Sequence, residues 1–367
     1  MSELRQSPLH AEHEKLGASF TAFGPWTMPL KYGKELDEHH AVRNAAGMFD
    51  LSHMGEIWVN GPDAAPFLSY ALISNMDTLK NGKAKYSMIV AEDGGIIDDL
   101  ISYRFSDTKF LVVPNAGNTD AVWEAFNQRT EGFDVELNNE SLDVAMIALQ
   151  GPDAAKILVE QVADESKDEV DNLPYYAATM AKVAGIDTIV ARTGYTGEDG
   201  FELMIYNADA TAMWQTFAAV EGVTPCGLAS RDSLRLEAGM PLYGNELSRA
   251  ITPVEAGMGV AFRKKTADFV GAEVLRQRLE EGPKQVIKAL TSSERRAART
   301  GAEIYLGDQV VGTVTSGQPS PTLGHPIALA LVNTDANLEE GTAVEVDIRG
   351  KRYPFTVTST PFYKRAE

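Results

Sequence analysis

Runs of alternating apolar and polar residues, cut by glycine turns, set the pattern of this chain. The clearest is KAKYSMIVAEDGGIIDDLISYRFSDTKFLVVPNAGN, residues 83–118, whose period of two predicts antiparallel strands. Asp93-Gly94-Gly95 and Ser106-Asp107 are its hairpin turns, because glycine and aspartate reach the conformations a tight reversal needs. Upstream, residues 1–60 read as helical and loop material ending in a short strand, IWVN. The following GPDAAPFLSYAL predicts a turn into an apolar helix. Pro62 and Asp63 suit its first turn, where a missing N–H is harmless and a carboxylate faces the helix dipole.

The same turn returns in AMIALQGPDAAKILVEQV, residues 145–162. Gly61–Ala65 and Gly151–Ala155 each stand between a strand and an apolar helix, which predicts a duplicated β-α unit and pseudo-symmetric α+β halves. Helices are expected over 207–220, 228–239 and 270–284, the last stopped at Gly282-Pro283. Beyond that stop, AEIYLGDQVVGTVTSG, PIALALVN, AVEVDIRG and KRYPFTVTST predict a small β-barrel or sandwich. The expected division is residues 1–280, holding two interleaved α+β domains, and a C-terminal β-barrel domain over 284–367.

Charge and cysteine content narrow the partners. Of the 367 residues, 52 are Asp or Glu and 33 Lys or Arg, a formal net charge of −19 that repels nucleic acid and anionic lipid. A single cysteine, Cys226, excludes a disulfide framework, and no run of 18 apolar residues spans a membrane. The first residues, MSELRQSPLHAEHEKLGA, mix acids and bases unlike a targeting peptide, so a cytoplasmic protein is expected.

Three segments carry candidate chemistry. In GGIIDDLISY, residues 94–103, Asp98 and Asp99 are neighbours on a strand and point to opposite faces, so one can enter a cavity while the other does not. A strand-entry acid pair is the plain reading; a buried carboxylate of raised pKa, able to move a proton, is the functional one. In RTGYTGEDGFELMIY, residues 192–206, three glycines form a loop before a strand holding Glu202. Glu198 and Asp199 would repel phosphate, so the loop suits a neutral or electropositive hydrogen-bond donor, and a carboxylate accepts two adjacent N–H groups side by side. In CGLASRDSLRLEAGMPLYGNEL, residues 226–247, Arg231 and Arg235 share a helix face. They are either solvated bases or a clamp for a carbonyl or carboxylate. The six histidines lack metal-ligand spacing, so no metal is expected.

Taken together, these motifs resemble the aminomethyltransferase family of the glycine cleavage system. The matching pieces run in order: EHHAVRNAAGMFDLSHMGEI, KAKYSMIVAEDGGIIDDLI, VVPNAGN, ALQGPDA, RTGYTGEDGFEL, GLASRDSLRLEAGMPLYG and VGTVTSGQPSPTLGHPIALALV. GYTGEDGFE combined with RDSLRLEAGMPLYG is the specific part. The resemblance implies an α+β fold with three domains in a cloverleaf around a central folate channel. It implies transfer of an aminomethyl carbon from the lipoyl arm of H-protein to tetrahydrofolate, giving 5,10-methylenetetrahydrofolate and ammonia. The central carboxylate would be Asp99, with Asp98 as the alternative; Glu202 would accept the pterin N–H donors and Arg231 would assist. Met54, Tyr86, Asn115, Tyr195 and Tyr243 would line the channel, with Tyr363 a looser match.

The segment KQVIKALTSSERRAART, residues 284–300, holds five bases against one acid and is either a solvated face or a contact for H-protein or the folate tail. Two other readings stay open: a folate-dependent demethylase of the same fold using another donor, or a non-catalytic folate-binding scaffold. Scaffold relatives carry a cysteine-bearing KGCYxGQ motif, which is absent from the corresponding CGLASRDSLR.

Overall fold

A computed structural model describes residues 4–365 and divides the chain into two compact units. The first takes the chain up to Ser87 and again Asp99–Arg231; the second takes Met88–Asp98 and the chain from Asp232 on. The division passes through two adjacent strands, Ala84–Val90 and Ile96–Ser106, and between Arg231 and Asp232 in the helix Leu228–Glu237.

In the first unit a six-stranded sheet runs in the order Ala178–Val183, Ile186–Ala191, Gly200–Tyr206, Val144–Gln150, Ala46–Asp50, Val223–Pro225. It is antiparallel except for its last pair. Its core joins Ile147, Leu149, Phe201 and Leu203 to Ile157 and Leu158 of the helix Ala154–Gln161 and to Met213, Trp214 and Phe217 of the helix Asn207–Ala218. Each large apolar side chain buried there contributes about 1.5–3 kcal/mol. A five-stranded sheet runs Ala84–Val90, Ile96–Ser106, Lys109–Pro114, Ile57–Asn60, Glu136–Asn139, its last four strands antiparallel.

The repeated GPDAA turns take the same conformation. Gly61 and Gly151 have φ of 133° and 136°, a region that side chains avoid. A Cβ on either would stand 2.3 Å from a backbone oxygen, that of Asp134 or of Ala45. Each turn leads from a strand into a helix, Ala64–Ala71 or Ala154–Gln161. The helix nevertheless starts later than expected. Pro62 and Asp63 precede it, and Asp63 Oδ2 accepts the N–H of Asp134 at 2.9 Å instead of capping the helix.

Residues 1–60 hold more strand than the sequence pattern indicates. Arg5–Gln6, Trp26–Lys31 and Ser19–Phe23 make a three-stranded sheet, and Ala46–Asp50 joins the six-stranded one. Beneath them Asp50 accepts hydrogen bonds from Ser7 and from His13 Nε2, the latter at 2.7 Å, while Tyr32 Oη meets His13 Nδ1 at 2.8 Å.

The second unit contains the expected C-terminal barrel, closed by six strands in the order Gln285–Thr291, Pro326–Asn333, Gln309–Pro319, Glu303–Leu306, Ala343–Asp347, Arg352–Thr358. Leu290, Ile304, Val314, Ala330, Val346 and Phe355 fill its interior. The charged helix before it is Ala272–Glu281, and Gly282 follows at positive φ, a usual helix stop.

Candidate functional site

Asp99 lies on the strand between the one that carries Tyr86 and the strand Lys109–Pro114, which ends just before Asn115. Leu100 pairs with Pro114, so Asn115, one residue on, comes opposite Asp99. Its Nδ2 donates to Asp99 Oδ1 at 2.8 Å and to the Asp99 carbonyl at 2.9 Å. From the other side Tyr86 Oη donates to Asp99 Oδ2 at 2.9 Å. Burial raises the pKa of this carboxyl to about 6, and the hydrogen bonds from Tyr86 and Asn115 oppose the rise. Its neighbour Asp98 is fully buried, whereas Asp99 stays partly open.

Glu202 sits mid-strand with alanine as its partner on both sides, Ala148 and Ala191. Cross-strand partners share a face, so the side chains directly opposite Glu202 on both neighbouring strands are methyl groups. Thr193 Oγ1 donates to Glu202 Oε2 at 2.5 Å, and Tyr103 Oη lies 3.5 Å from the same oxygen. No hydrogen bond to Oε1 is present among the described residues. The other acids of the loop serve differently from the sequence expectation. Glu198 pairs with Arg43 at 2.9 Å, and Asp199 binds Arg192 through two contacts of 3.0 and 2.6 Å. Both are neutralised inside the fold, whereas Glu202 has no basic partner among the described residues.

Arg231 occupies the first turn of the helix Leu228–Glu237. That turn is fixed by Glu38, whose Oε2 accepts the N–H of Gly227 at 2.9 Å while Oε1 holds the N–H groups of Tyr32 and Gly33. Glycine is required at 227, since a Cβ would stand 2.3 Å from the Leu30 carbonyl. The Arg231 guanidinium lies 4.9 Å from the centre of the Tyr195 ring and makes no side-chain hydrogen bond among the described residues. Burial lowers its pKa, and the charge of Glu202 supports it. Arg235 does not share this role. It is buried and bonded to Glu246 at 3.0 Å, to Asp232 at 2.8 Å and to Ser316 at 2.8 Å within the second unit.

The two carboxylates belong to one electrostatic neighbourhood. Burial and then Asp99 raise the pKa of Tyr86, with Tyr195 and Tyr176 adding to it; burial and then Glu202 raise that of Tyr103. Tyr103, Thr193 and Tyr176 therefore stand among the neighbours of these carboxylates, although the sequence reading did not single them out. Tyr103 carried a signal, since Asp99, Ile101 and Tyr103 share one strand face. Tyr176 had none; it adopts φ 58°, a left-handed conformation that costs a bulky residue strain.

Met54 and His53 line a hollow of about 520 Å³ with Trp26, Thr119 and Trp123. Burial, then the charge of Arg231, pull the His53 pKa down to about 4, while Asp50 opposes them. Tyr243 belongs to the second unit, where its hydroxyl donates to the Ile96 carbonyl at 3.0 Å. Tyr363 is also there, its N–H bonded to the Glu237 carbonyl at 2.9 Å.

These features define an α+β enzyme with a C-terminal barrel and two acceptor carboxylates beside an unspent guanidinium. Residues 9–266 match the family model described as GCVT N-terminal domain, and residues 284–364 match the glycine cleavage T-protein C-terminal barrel domain. The chain is 71% identical to an aminomethyltransferase of Corynebacterium aurimucosum and 56% identical to one of Corynebacterium jeikeium, each over 100% of both chains. The crystal structure of glycine cleavage system aminomethyltransferase T from Bartonella henselae superposes with a TM-score of 0.92 at 37% identity, covering 99% of each chain. The chain belongs to the aminomethyltransferase family of the glycine cleavage system.

Proposed function

We propose that the chain transfers the aminomethyl carbon carried on the lipoyl arm of H-protein to tetrahydrofolate. The overall change is lipoyl-S–CH2–NH2 plus tetrahydrofolate to lipoyl-SH, ammonia and 5,10-methylenetetrahydrofolate. The carbon loses its bonds to sulfur and to the amine and gains bonds to N5 and N10. The two protons leaving those nitrogens end on sulfur and on ammonia.

Glu202 accepts the adjacent N–H donors of the pterin, with Thr193 and Tyr103 orienting its carboxylate. Arg231, with its donors unspent, meets a carbonyl oxygen of the same ring system. Asp99, held by Tyr86 and Asn115, stabilises positive charge developing at the transferred carbon and relays a proton between the nitrogens and the departing amine. A carboxyl of pKa about 6 is suited to both giving and taking that proton near neutrality. Met54, Tyr86, Asn115 and Tyr195 are proposed to line the space around the ring.

The observation that carries this reading is the pair of differently used carboxylates: Asp99 with one hydrogen bond on each oxygen, from Tyr86 and Asn115, and Glu202 with an oxygen left open. The test supplies tetrahydrofolate with aminomethylated H-protein, dimethylglycine or sarcosine in separate reactions. Ammonia and methylenetetrahydrofolate from H-protein alone are expected; turnover with a methylamine donor instead establishes the demethylase reading. The absence of turnover with every donor, alongside folate binding, establishes the scaffold.

A further inference from the structure

Gln150 ends the strand Val144–Gln150 and stands between two glycines of the neighbouring strands, Gly47 and Gly200. It is buried, and it shares the sheet face of Glu202, because Ala148, two residues before it, is the cross-strand partner of that acid. With no side chain on either flank, its amide reaches the glycine loop. Nε2 donates to the Thr193 carbonyl at 3.0 Å and, more weakly, to that of Phe201 at 3.5 Å, while Oε1 accepts the Thr196 hydroxyl at 2.8 Å. These partners fix which way the amide points. The two carbonyls can only accept, so the NH2 end must face them, and the hydroxyl supplies the proton that the oxygen end takes.

The loop is built around this side chain. A Cβ on Gly194 or on Gly200 would collide with the Gln150 amide, so these two glycines make room for it. Gly197 alone of the three takes a positive φ, 81°. Thr193 is the link to the acid: its carbonyl is held by Gln150, and its hydroxyl donates to Glu202 Oε2 at 2.5 Å. No hydrogen bond joins Gln150 to Glu202 directly among the described residues.

We propose that Gln150 is a positioning residue for pterin binding that acts through Thr193. By fixing the Thr193 peptide it aims the hydroxyl at Glu202 Oε2 and so leaves Oε1 turned to the ligand. This rests on the assignment of Glu202 to the pterin N–H donors and adds the group that orients it. A carboxylate held in advance loses less freedom when the ligand arrives, which strengthens binding. Asp99 stands on the other sheet, held by Tyr86 and Asn115, so proton transfer there does not pass through Gln150. The effect therefore falls on tetrahydrofolate affinity and not on turnover at saturation.

Calorimetric titration of the full chain with tetrahydrofolate, alongside steady-state kinetics, tests this. Gln150→Met keeps the length of the side chain and removes its hydrogen bonds. It is expected to weaken tetrahydrofolate by about tenfold or more, with kcat at saturating tetrahydrofolate and the KM for H-protein each within about threefold of the unaltered chain. Thr193→Val removes the hydroxyl that carries the effect. In that background Gln150→Met should cost less than about threefold further, since two links of one chain are not additive. A side chain that only supports the fold would cost the same factor in both backgrounds. Thr196→Val frees the oxygen end of the amide without emptying its place. It should weaken tetrahydrofolate several-fold in the unaltered chain and not in Thr193→Val, and it carries the test if Gln150→Met does not fold. Unchanged affinity in folded Gln150→Met, or failing that in Thr196→Val, overturns the inference alone, as does the same loss with and without the Thr193 hydroxyl. An unaltered chain that does not bind tetrahydrofolate overturns the assignment of Glu202, and the inference with it.

Discussion

The hydroxyl of Tyr86 donates to Asp99 Oδ2 across 2.9 Å from one neighbouring strand, while Asn115 reaches the other oxygen at 2.8 Å from just past the end of the other, Lys109–Pro114. Three strands thus set one carboxylate, and small changes at any of them act on its proton.

Asp99→Asn keeps the size of the side chain and removes its charge and basicity. Turnover is expected to fall by about 10²-fold or more, the usual scale for one acid-base group. Tetrahydrofolate affinity, measured by calorimetry, should stay within a few-fold.

The rate should follow the ionisation of Asp99. With a pKa of about 6, kcat/KM is expected to rise with pH through that value and level off above it. In Tyr86→Phe the hydrogen bond that favours the ionised form is gone, so the rising limb should move to higher pH. The sign for stability is opposite. The folded chain binds this proton more tightly than the unfolded chain between the ordinary 3.8 and about 6, so the group's contribution to stability falls as pH rises through that window and is constant above it.

Glu202→Gln should act on binding. Charge-assisted hydrogen bonds are worth about 1.5–3 kcal/mol, so a loss of roughly tenfold to a hundredfold in tetrahydrofolate affinity is expected. Tyr103→Phe should cost less, because its 3.5 Å contact to Glu202 is long.

Gly151→Ala tests the duplicated turn. The new Cβ combines positive-φ strain with a 2.3 Å approach to the Ala45 carbonyl, which predicts a loss of at least about 2 kcal/mol in urea unfolding. Gly61→Ala should behave alike, since Asp134 stands at the same distance.

The basic segment gives a separate test of the partner. Arg296 and Arg299 border a hollow of about 630 Å³ together with Arg349. Replacing Arg295, Arg296 and Arg299 by alanine should raise the KM for H-protein and leave tetrahydrofolate binding nearly unchanged.

The sequence made the hairpins over 83–118 legible because period-two alternation and turn residues agree there. The Ala46–Asp50 strand was not, because all five residues are buried and its two faces do not differ in polarity. The hairpin of Ser19–Phe23 and Trp26–Lys31 was hidden by Pro25 and Pro29, which ordinarily argue against a strand. The same limit applied to the site. Asp99 and Glu202 stood out as acids on strands, but which acids of the glycine loop were already paired depended on Arg43, 155 residues away from Glu198 in sequence. Likewise Arg231 and Arg235 looked equivalent on one helix face until Glu246 and Ser316 were found to occupy the second.

The most direct measurement is the position of the pterin in crystals of the chain with tetrahydrofolate. The account predicts its ring N–H donors at hydrogen-bond distance from Glu202, with Asp99 beside the nitrogens that receive carbon. A pterin bound away from both carboxylates, or one that leaves Asp99 facing only water, contradicts it.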